Sequence, residues 1–223
     1  MTEGRGTLPR LIIVGSSGHA AVIIDIFNKC KTHKIIGLLD DYSIVGEIHN
    51  GYSILGSVSS IDELYERGLF DEVFVAVGSN SGRRSVVNRI REILPDLPFP
   101  NAIHPFCQLS ENVNMGSGNC IMAGAIINSR TVIDDFCIIN TNSSLDHDNH
   151  LSSFSSLAPG CCTGGYVDIG ELVQIGIGST IRDKIRVGRN SIIGAGSLLL
   201  NDCQEDSLMY GQPAKLIRKL YGS

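Results

Sequence analysis

The sequence is poor in aromatic residues and in charge: it has no tryptophan, 6% aromatic residues and 18% charged residues. Charge this sparse fits a chain whose repeats are buried on one side. No run of basic residues occurs and the net charge is −5, which argues against nucleic acid as the main partner. No stretch of 18 apolar residues exists, so no membrane span is expected. Residues 1–10 carry Glu3, Arg5 and Arg10 and have no apolar core, so no leader peptide is expected. The 7 cysteines are odd in number and contain no C-x-x-C pair, and Cys161 and Cys162 adjoin each other. Reduced thiols, no metal and a cytoplasmic location are the simplest expectation. What is present is 43% hydrophobic residues in 223, enough to bury the core of one large domain or two modest ones.

The second half is periodic. Every sixth residue from Leu109 to Leu199 is aliphatic or Met, with Thr163 as the one break. Four residues after each of these the side chain is mostly small or β-branched, as at Ala125, Thr131, Cys137, Ser143, Ser155, Cys161, Val173, Ser179 and Ser197. Glycine often follows the aliphatic residue, as at Gly116, Gly170, Gly176, Gly188 and Gly194, and is expected to serve the tight bends. Three hexads close one triangular coil of 18 residues, so each aliphatic group stacks on its equivalent one strand spacing away, roughly 4.8 Å. Residues 109–200 supply about five such coils, and stacking gives the stability that one coil lacks.

The first half alternates. Residues 11–14, 34–39 and 72–77 read as strands, and residues 19–30, 60–67 and 82–94 as helices. This order predicts a small parallel sheet with helices on its faces. The turn Gly15-Ser16-Ser17-Gly18-His19 joins the first strand to the first helix, where backbone N–H groups and the helix dipole suit a phosphate. Asp40, 22 residues after Gly18 at the end of the next strand, stands where an acidic residue bonds a ribose in dinucleotide folds. A plain strand-to-helix turn explains the same residues. Four prolines between Pro95 and Pro105 mark a linker. The expected domains are residues 1–104, an α/β Rossmann-like unit that binds a nucleotide sugar, and residues 105–223, a β-helix with a C-terminal tail.

The combination resembles one family. Its motifs are Gly15-Ser-Ser-Gly18-His19, Leu39-Asp40-Asp41, Ala76-Val-Gly78-Ser-Asn80, Asn101-x-x-His104-Pro105, Asn140-Thr141 followed by His147-Asp148, and Gly211-Gln-Pro213-Ala214-Lys215. Together they resemble the sugar-nucleotide N-acetyltransferases of the PglD and perosamine N-acetyltransferase type, with sialic acid O-acetyltransferases as relatives. The resemblance implies a left-handed parallel β-helix and a homotrimer. It also implies acetyl-CoA as co-substrate in a groove between β-helices, and a nucleotide-linked 4-amino-sugar as acceptor. It puts substrate contacts at Gly15, Ser16, Ser17, Gly18, His19, Asp40, Asp41, Gly78 and Asn80. Contacts to acetyl-CoA fall at Gly165, Gly176, Gly178, Gly194, Ala195, Gly196, Pro213 and Lys215. Arg182, Lys184, Arg186, Arg189, Arg218 and Lys219 could meet its phosphates, or form a solvated face.

His147 is the expected general base. It is the third residue of its hexad, at a corner, and a neutral imidazole suits removal of a proton from an attacking amine near neutral pH. Asp148 follows it, as the family pattern requires, and orients the ring or is merely solvated. Gly165, one coil on, leaves room for the imidazole and offers its N–H to the oxyanion, or serves only its own dihedrals. Asn140 is expected to position Asp148 or the acceptor. His150 in the same hexad has no family counterpart. Some relatives carry a second histidine nine residues after the base, where this chain has Ser156. Acetylation of a sugar hydroxyl, or a non-catalytic nucleotide-binding scaffold, are the competing readings.

Overall fold

The computed structural model describes residues 7–220. Six of the ten opening residues, whose charges were read above, lie outside this range. Contacts divide the chain into two compact units: Met1–Gly78 with Ser85–Pro100, and Ser79–Arg84 with Asn101–Ser223.

The first unit holds β1 (Arg10–Val14), α1 (Gly18–Cys30), β2 (Lys34–Leu39), β3 (Ile48–His49), β4 (Tyr52–Gly56), α2 (Ile61–Glu66) and β5 (Glu72–Val75). The sheet order is β3-β4-β2-β1-β5, parallel except for the β3–β4 pair. The chain leaves β1 through α1 to one side and later enters β5 on the other side of β1. The strand order therefore reverses at β1, and ligands in open α/β sheets bind beyond the carboxyl ends of strands at such a point. Leu11, Ile12 and Ile13 of β1 and Val73 and Phe74 of β5 are buried, as parallel strands covered on both faces require. Gly46 and Gly51 flank the short β3, which together with β4 had no clear periodic signal in the sequence.

The second unit is a left-handed parallel β-helix of two-residue strands on three faces. The repeat pairs residues 18 apart, such as Ile127 with Leu145, Leu151 with Ile169 and Leu157 with Ile175, and the last coil shortens the step to 16, as at Ile192 with Leu208 and Val187 with Cys203. Pairing begins with Ala102–Ile103 against Cys120–Ile121 and ends in the antiparallel hairpin Ser207–Gly211 and Ala214–Lys219. The aliphatic positions and those four residues after them point inward together, so Leu145, Leu157, Ile175, Ala125, Ser143 and Ser155 are all fully buried. The buried hydroxyls turn back to carbonyls: Ser143 Oγ donates to the Asn140 carbonyl and Ser179 Oγ to that of Gly194.

The glycines act differently from expectation. At most corners the left-handed residue is not glycine, as at Arg130 (φ 61°), Phe136 (57°), Asp148 (56°), Phe154 (60°), Tyr166 (59°) and Leu172 (62°), while Gly118, Gly124, Gly160, Gly178 and Gly196 fill others. The N–H of this residue donates to the coil before it, as Asp148 does to the Ser129 carbonyl at 3.0 Å, and Tyr166 to that of His147 at 3.1 Å. The glycines that follow the aliphatic residues have no left-handed φ. They are set by close approach instead, since a Cβ on Gly176 would lie 2.6 Å from the Ala195 nitrogen and one on Gly170 2.7 Å from that of Arg189.

The motif Asn101-x-x-His104-Pro105 closes the first coil. Asn101 Nδ2 donates to the Gly116 carbonyl, its Oδ1 accepts from the Asn119 N–H, and buried His104 accepts from the Phe106 N–H through Nδ1. On the same unit Arg83 is 1% exposed and donates to the carbonyls of Phe136 and Phe154, whose rings stack at 5.1 Å. Burial pushes its guanidinium down to about 10. Among the described residues no helix is long and apolar enough to cross a membrane.

Truncating one rung tests this stacking. Leu157→Ala, at a fully buried position between Ile139 and Ile175, is expected to cost about 2–4 kcal/mol in urea unfolding. A cost below about 1 kcal/mol would mean that the coils are not packed as described.

Candidate active site

The corner after Ser144–Leu145 carries the expected base and the acid that follows it. The turn there places His147 and Asp148 side by side, and Asp148 adopts the left-handed conformation (φ 56°). His147 Nδ1 lies 2.7 Å from Asp148 Oδ2. The backbone of this turn is held independently: Asp146 Oδ1 accepts from the His147 N–H at 2.8 Å. Buried Asn149 donates through Nδ2 to the Asp146 carbonyl and to Thr163 Oγ1, and accepts from the Val167 N–H. Thr163, the one break in the aliphatic series, is thus the polar partner that Asn149 needs inside an apolar core.

Gly165 lies one coil beyond His147, against the ring. A Cβ there would stand 2.7 Å from His147 Cε1 and 2.9 Å from Nε2. Its φ is not left-handed, so the imidazole, and not the dihedrals, requires the glycine. Among the described residues no acceptor takes its N–H, which leaves that donor beside the base. Tyr166 meets the His147 ring edge-on at 5.3 Å.

Arg130, one coil before Asp148, grips its carboxylate with both arms, Nε to Oδ1 and Nη2 to Oδ2, each at 2.7 Å. The hydrogen bond from Arg130, then that from His147, holds Asp148 well below the ordinary carboxylate range. A carboxyl lowered in the folded state contributes stability that is complete above about pH 4 and lost as pH falls below it. Asp148 is therefore ionised wherever the imidazole is neutral. Arg130 and Tyr166 were not read from the sequence, although both lie 18 residues from Asp148.

Other expected residues stand elsewhere. Asn140 does not position Asp148: its Oδ1 accepts from the Thr141 N–H at 2.7 Å, and the partners of Asp148 are His147 and Arg130. Asn80 is 8% exposed and its side chain is spent on the β-helix, donating to the carbonyls of Leu172 and Val173 and accepting from Arg83. It is the first residue of α3 (Asn80–Ile93). His150 lies on another face, 3.2 Å from Asp134 and 3.5 Å from Asp168. Ser156 points outward from a strand of the third face, between Ile138 and Gln174.

Within the α/β unit, Gly15 (φ 112°) follows β1 so closely that a Cβ would meet the Ala76 carbonyl at 2.8 Å. Ser16 Oγ donates to Asp40 Oδ2 at 2.7 Å and Asp40 Oδ1 accepts from the Tyr42 N–H. Burial opposes ionisation of Asp40, but these hydrogen bonds outweigh it and hold the carboxyl below its usual range. Ser17 is the N-cap residue of α1 without a side-chain cap, and Gly18 and His19 open the helix, so the N-terminal dipole faces the carboxyl edge of the sheet. Gly78 follows β5 at the same edge. The Asp41 carboxylate has two protein partners: Oδ1 accepts from the Val58 N–H and Oδ2 pairs with Arg89 at 2.6 Å.

At the third corner Gly178 (φ 66°) and Gly196 (φ 65°) leave open space where a Cβ would stand, next to Ala195 and exposed Ile177. The same slot holds Asn142 in an earlier coil, so neither glycine is demanded by the bend alone. Gly194, like Gly176, is set by approach, here to Tyr210. Pro213 and Lys215 lie in the terminal hairpin, whose Gln212 donates to the Gly196 carbonyl. Arg186 pairs with Asp168, Arg189 with Glu205, and Lys219 donates to the Glu205 carbonyl. Among the described residues no group of three or more His, Cys, Asp or Glu is placed to hold a metal ion.

Residues 166–201 match the family model described as bacterial transferase hexapeptide (six repeats), and residues 10–90 match that of the PglD N-terminal domain. The class is therefore that of the hexapeptide-repeat acyltransferases. PerB from Caulobacter crescentus, solved in complex with CoA and GDP-perosamine, is 30% identical, covers 98% of this chain and 100% of its own, and superposes with a TM-score of 0.87. The acetyltransferase domain of PglB from Neisseria gonorrhoeae FA1090, in complex with acetyl coenzyme A, is 29% identical over 94% of this chain and 100% of that one, also with a TM-score of 0.87. GDP-perosamine N-acetyltransferase of Escherichia coli O157:H7 is 27% identical over 82% of each chain. The chain belongs to the sugar-nucleotide N-acetyltransferase family of the PglD and perosamine N-acetyltransferase type.

Gly165→Ala should keep the fold and cost activity. The added methyl displaces the imidazole by about 1 Å, so kcat is expected to fall about a hundredfold with the melting temperature nearly unchanged. Unchanged turnover in that variant would show that the ring over Gly165 is not the working base.

Proposed function

We propose that this protein transfers acetyl from acetyl-CoA to the 4-amino group of a nucleotide-linked deoxysugar, with His147 as general base. The observation that carries the assignment is the His147–Asp148 pair at 2.7 Å set over Gly165. Asp148 accepts a hydrogen bond from Nδ1–H, which keeps that proton on Nδ1 and leaves Nε2 unprotonated. The neutral amine attacks the thioester carbonyl, and the ammonium formed gives a proton to Nε2. The negative oxygen of the tetrahedral intermediate is met by the Gly165 N–H, a donor without another partner. Collapse expels CoA thiolate, which takes the proton back from Nε2. Asp148 stabilises the imidazolium between those two transfers.

The α/β unit holds the nucleotide. Gly15 through Gly18 and the start of α1 receive the phosphates, His19 and Gly78 line the same edge, and Asp40 fixes the turn through Ser16. The bare strip of Gly178, Ala195 and Gly196 takes the pantetheine arm, with Pro213 and Lys215 near its end. Gly176 and Gly194 allow the coils beneath it to close up. We place acetyl-CoA in a groove between β-helices of a homotrimer, and the enzyme in the cytoplasm, where reduced cysteines and acetyl-CoA coexist. The GDP-linked sugars of the similar proteins make a GDP-linked 4-amino-sugar the first acceptor to try.

The test is CoA-thiol release with UDP-, dTDP- and GDP-linked 4-amino-sugars, comparing wild type with His147→Ala. Turnover on one amino-sugar, reduced about 10²–10⁴-fold in the variant, is the expected result. Turnover only on sugar hydroxyls would replace the acceptor, and turnover independent of His147 would remove the base.

A further inference from the structure

Asp148 is shared between two residues. Arg130 and Asp148 occupy the same left-handed slot in consecutive coils (φ 61° and 56°), so the stacking itself sets their separation. The guanidinium meets the carboxylate edge to edge, with two hydrogen bonds of 2.7 Å, and Oδ2 also takes the imidazole at 2.7 Å. Isolated exposed ion pairs fix little, but a bidentate Arg–carboxylate pair has one planar geometry. Here it matters because His147 is a half-exposed side chain, 45% accessible, whose ring is oriented through one acceptor atom.

We propose that Arg130 is a positioning residue for the general base: its two-armed grip fixes Asp148 so that Oδ2 faces His147 Nδ1, and its charge offsets that of the carboxylate beside the ring. This rests on His147 being the base. Grip and charge act separately. The grip selects the tautomer with Nε2 free. The charge opposes retention of a proton on the imidazole, which Asp148 alone would favour. The other ionisable groups around the ring are Asp146, whose Oδ1 is engaged by the His147 N–H and by Asn128, and Tyr166 at its edge; Asp183 and Lys184 come one coil past Gly165. Lysine would retain the charge and lose the planar grip.

The experiment is the pH dependence of kcat and KM for wild type, Arg130→Ala, Arg130→Lys and His147→Ala at constant ionic strength, with the acceptor that wild type uses. Arg130→Ala is expected to lose about tenfold in kcat, with KM little changed. Its acidic limb should move up by about half a unit to one unit, because the uncompensated carboxylate holds the imidazole proton to higher pH. Arg130→Lys should keep the limb near wild type and remain slow. Free guanidinium should restore part of the Arg130→Ala rate, whereas sodium at the same ionic strength should not. A wild-type profile for Arg130→Ala, or a change confined to KM, would overturn the proposal. Loss of activity in His147→Ala beside a normal Arg130→Ala removes this inference alone, and an active His147→Ala removes the base on which it rests.

Discussion

Parallel pairing between residues 18 apart is the constraint on which the rest of the molecule depends. It gives each position the same slot in the next coil, about one strand spacing away. Inward slots form columns of aliphatic and small residues, and the hydroxyls among them turn to carbonyls. Corner slots hold left-handed residues, and side chains as large as Arg130, Phe136 and Tyr166 accept that conformation because the N–H is bonded to the coil before and the side chain has open space outside. The backbone cost of each such residue, about 1–2 kcal/mol, is met by tertiary structure and not by glycine.

The same slots make an active site from few residues. His147 needs an empty neighbour in the next coil, and Gly165 provides it; it needs an acid beside it, and Asp148 follows in the chain. The turn that carries both needs a fixed backbone, and this is where the core gives up an aliphatic group. Thr163 and Asn149 form a buried polar pair under the corner, each satisfied by the other and by backbone groups. A buried pair of this kind contributes little net stability, but leaving either partner alone would cost about 1–3 kcal/mol. Its place directly beneath the base accounts for the single break in the hydrophobic series.

How legible all this was in the sequence depended on whether a residue's partners lie at a fixed offset. The β-helix was legible because the six-residue period is strict, and with it came His147 above Gly165. Strands β1, β2 and β5 were legible as apolar runs. The β3–β4 pair was not, because β3 is two residues long and exposed at Ile48. The role of the glycines after the aliphatic residues was misassigned: dihedral need and close approach give the same letter, and only coordinates separate them. Asn80, Asp41 and Asn140 have protein partners that no motif shows, because polar residues in a shared motif look alike whatever they touch. Their partners, Leu172, Arg89 and Thr141, follow no single spacing.

Arg130 and Tyr166 are the instructive omissions, since both were open to reading by the same 18-residue step that paired His147 with Gly165. The step starts from the acid as well as from the base. Applied to Asp148, it places a guanidinium on one side and a phenol on the other. On a stacked fold an acidic residue beside a base cannot be assigned a role from its own coil, because the groups that set its ionisation stand in the coils on either side. Arg130 holds the Asp148 carboxyl well below its usual range, and Asp148 in turn holds Nδ1 of His147 at an exposed corner.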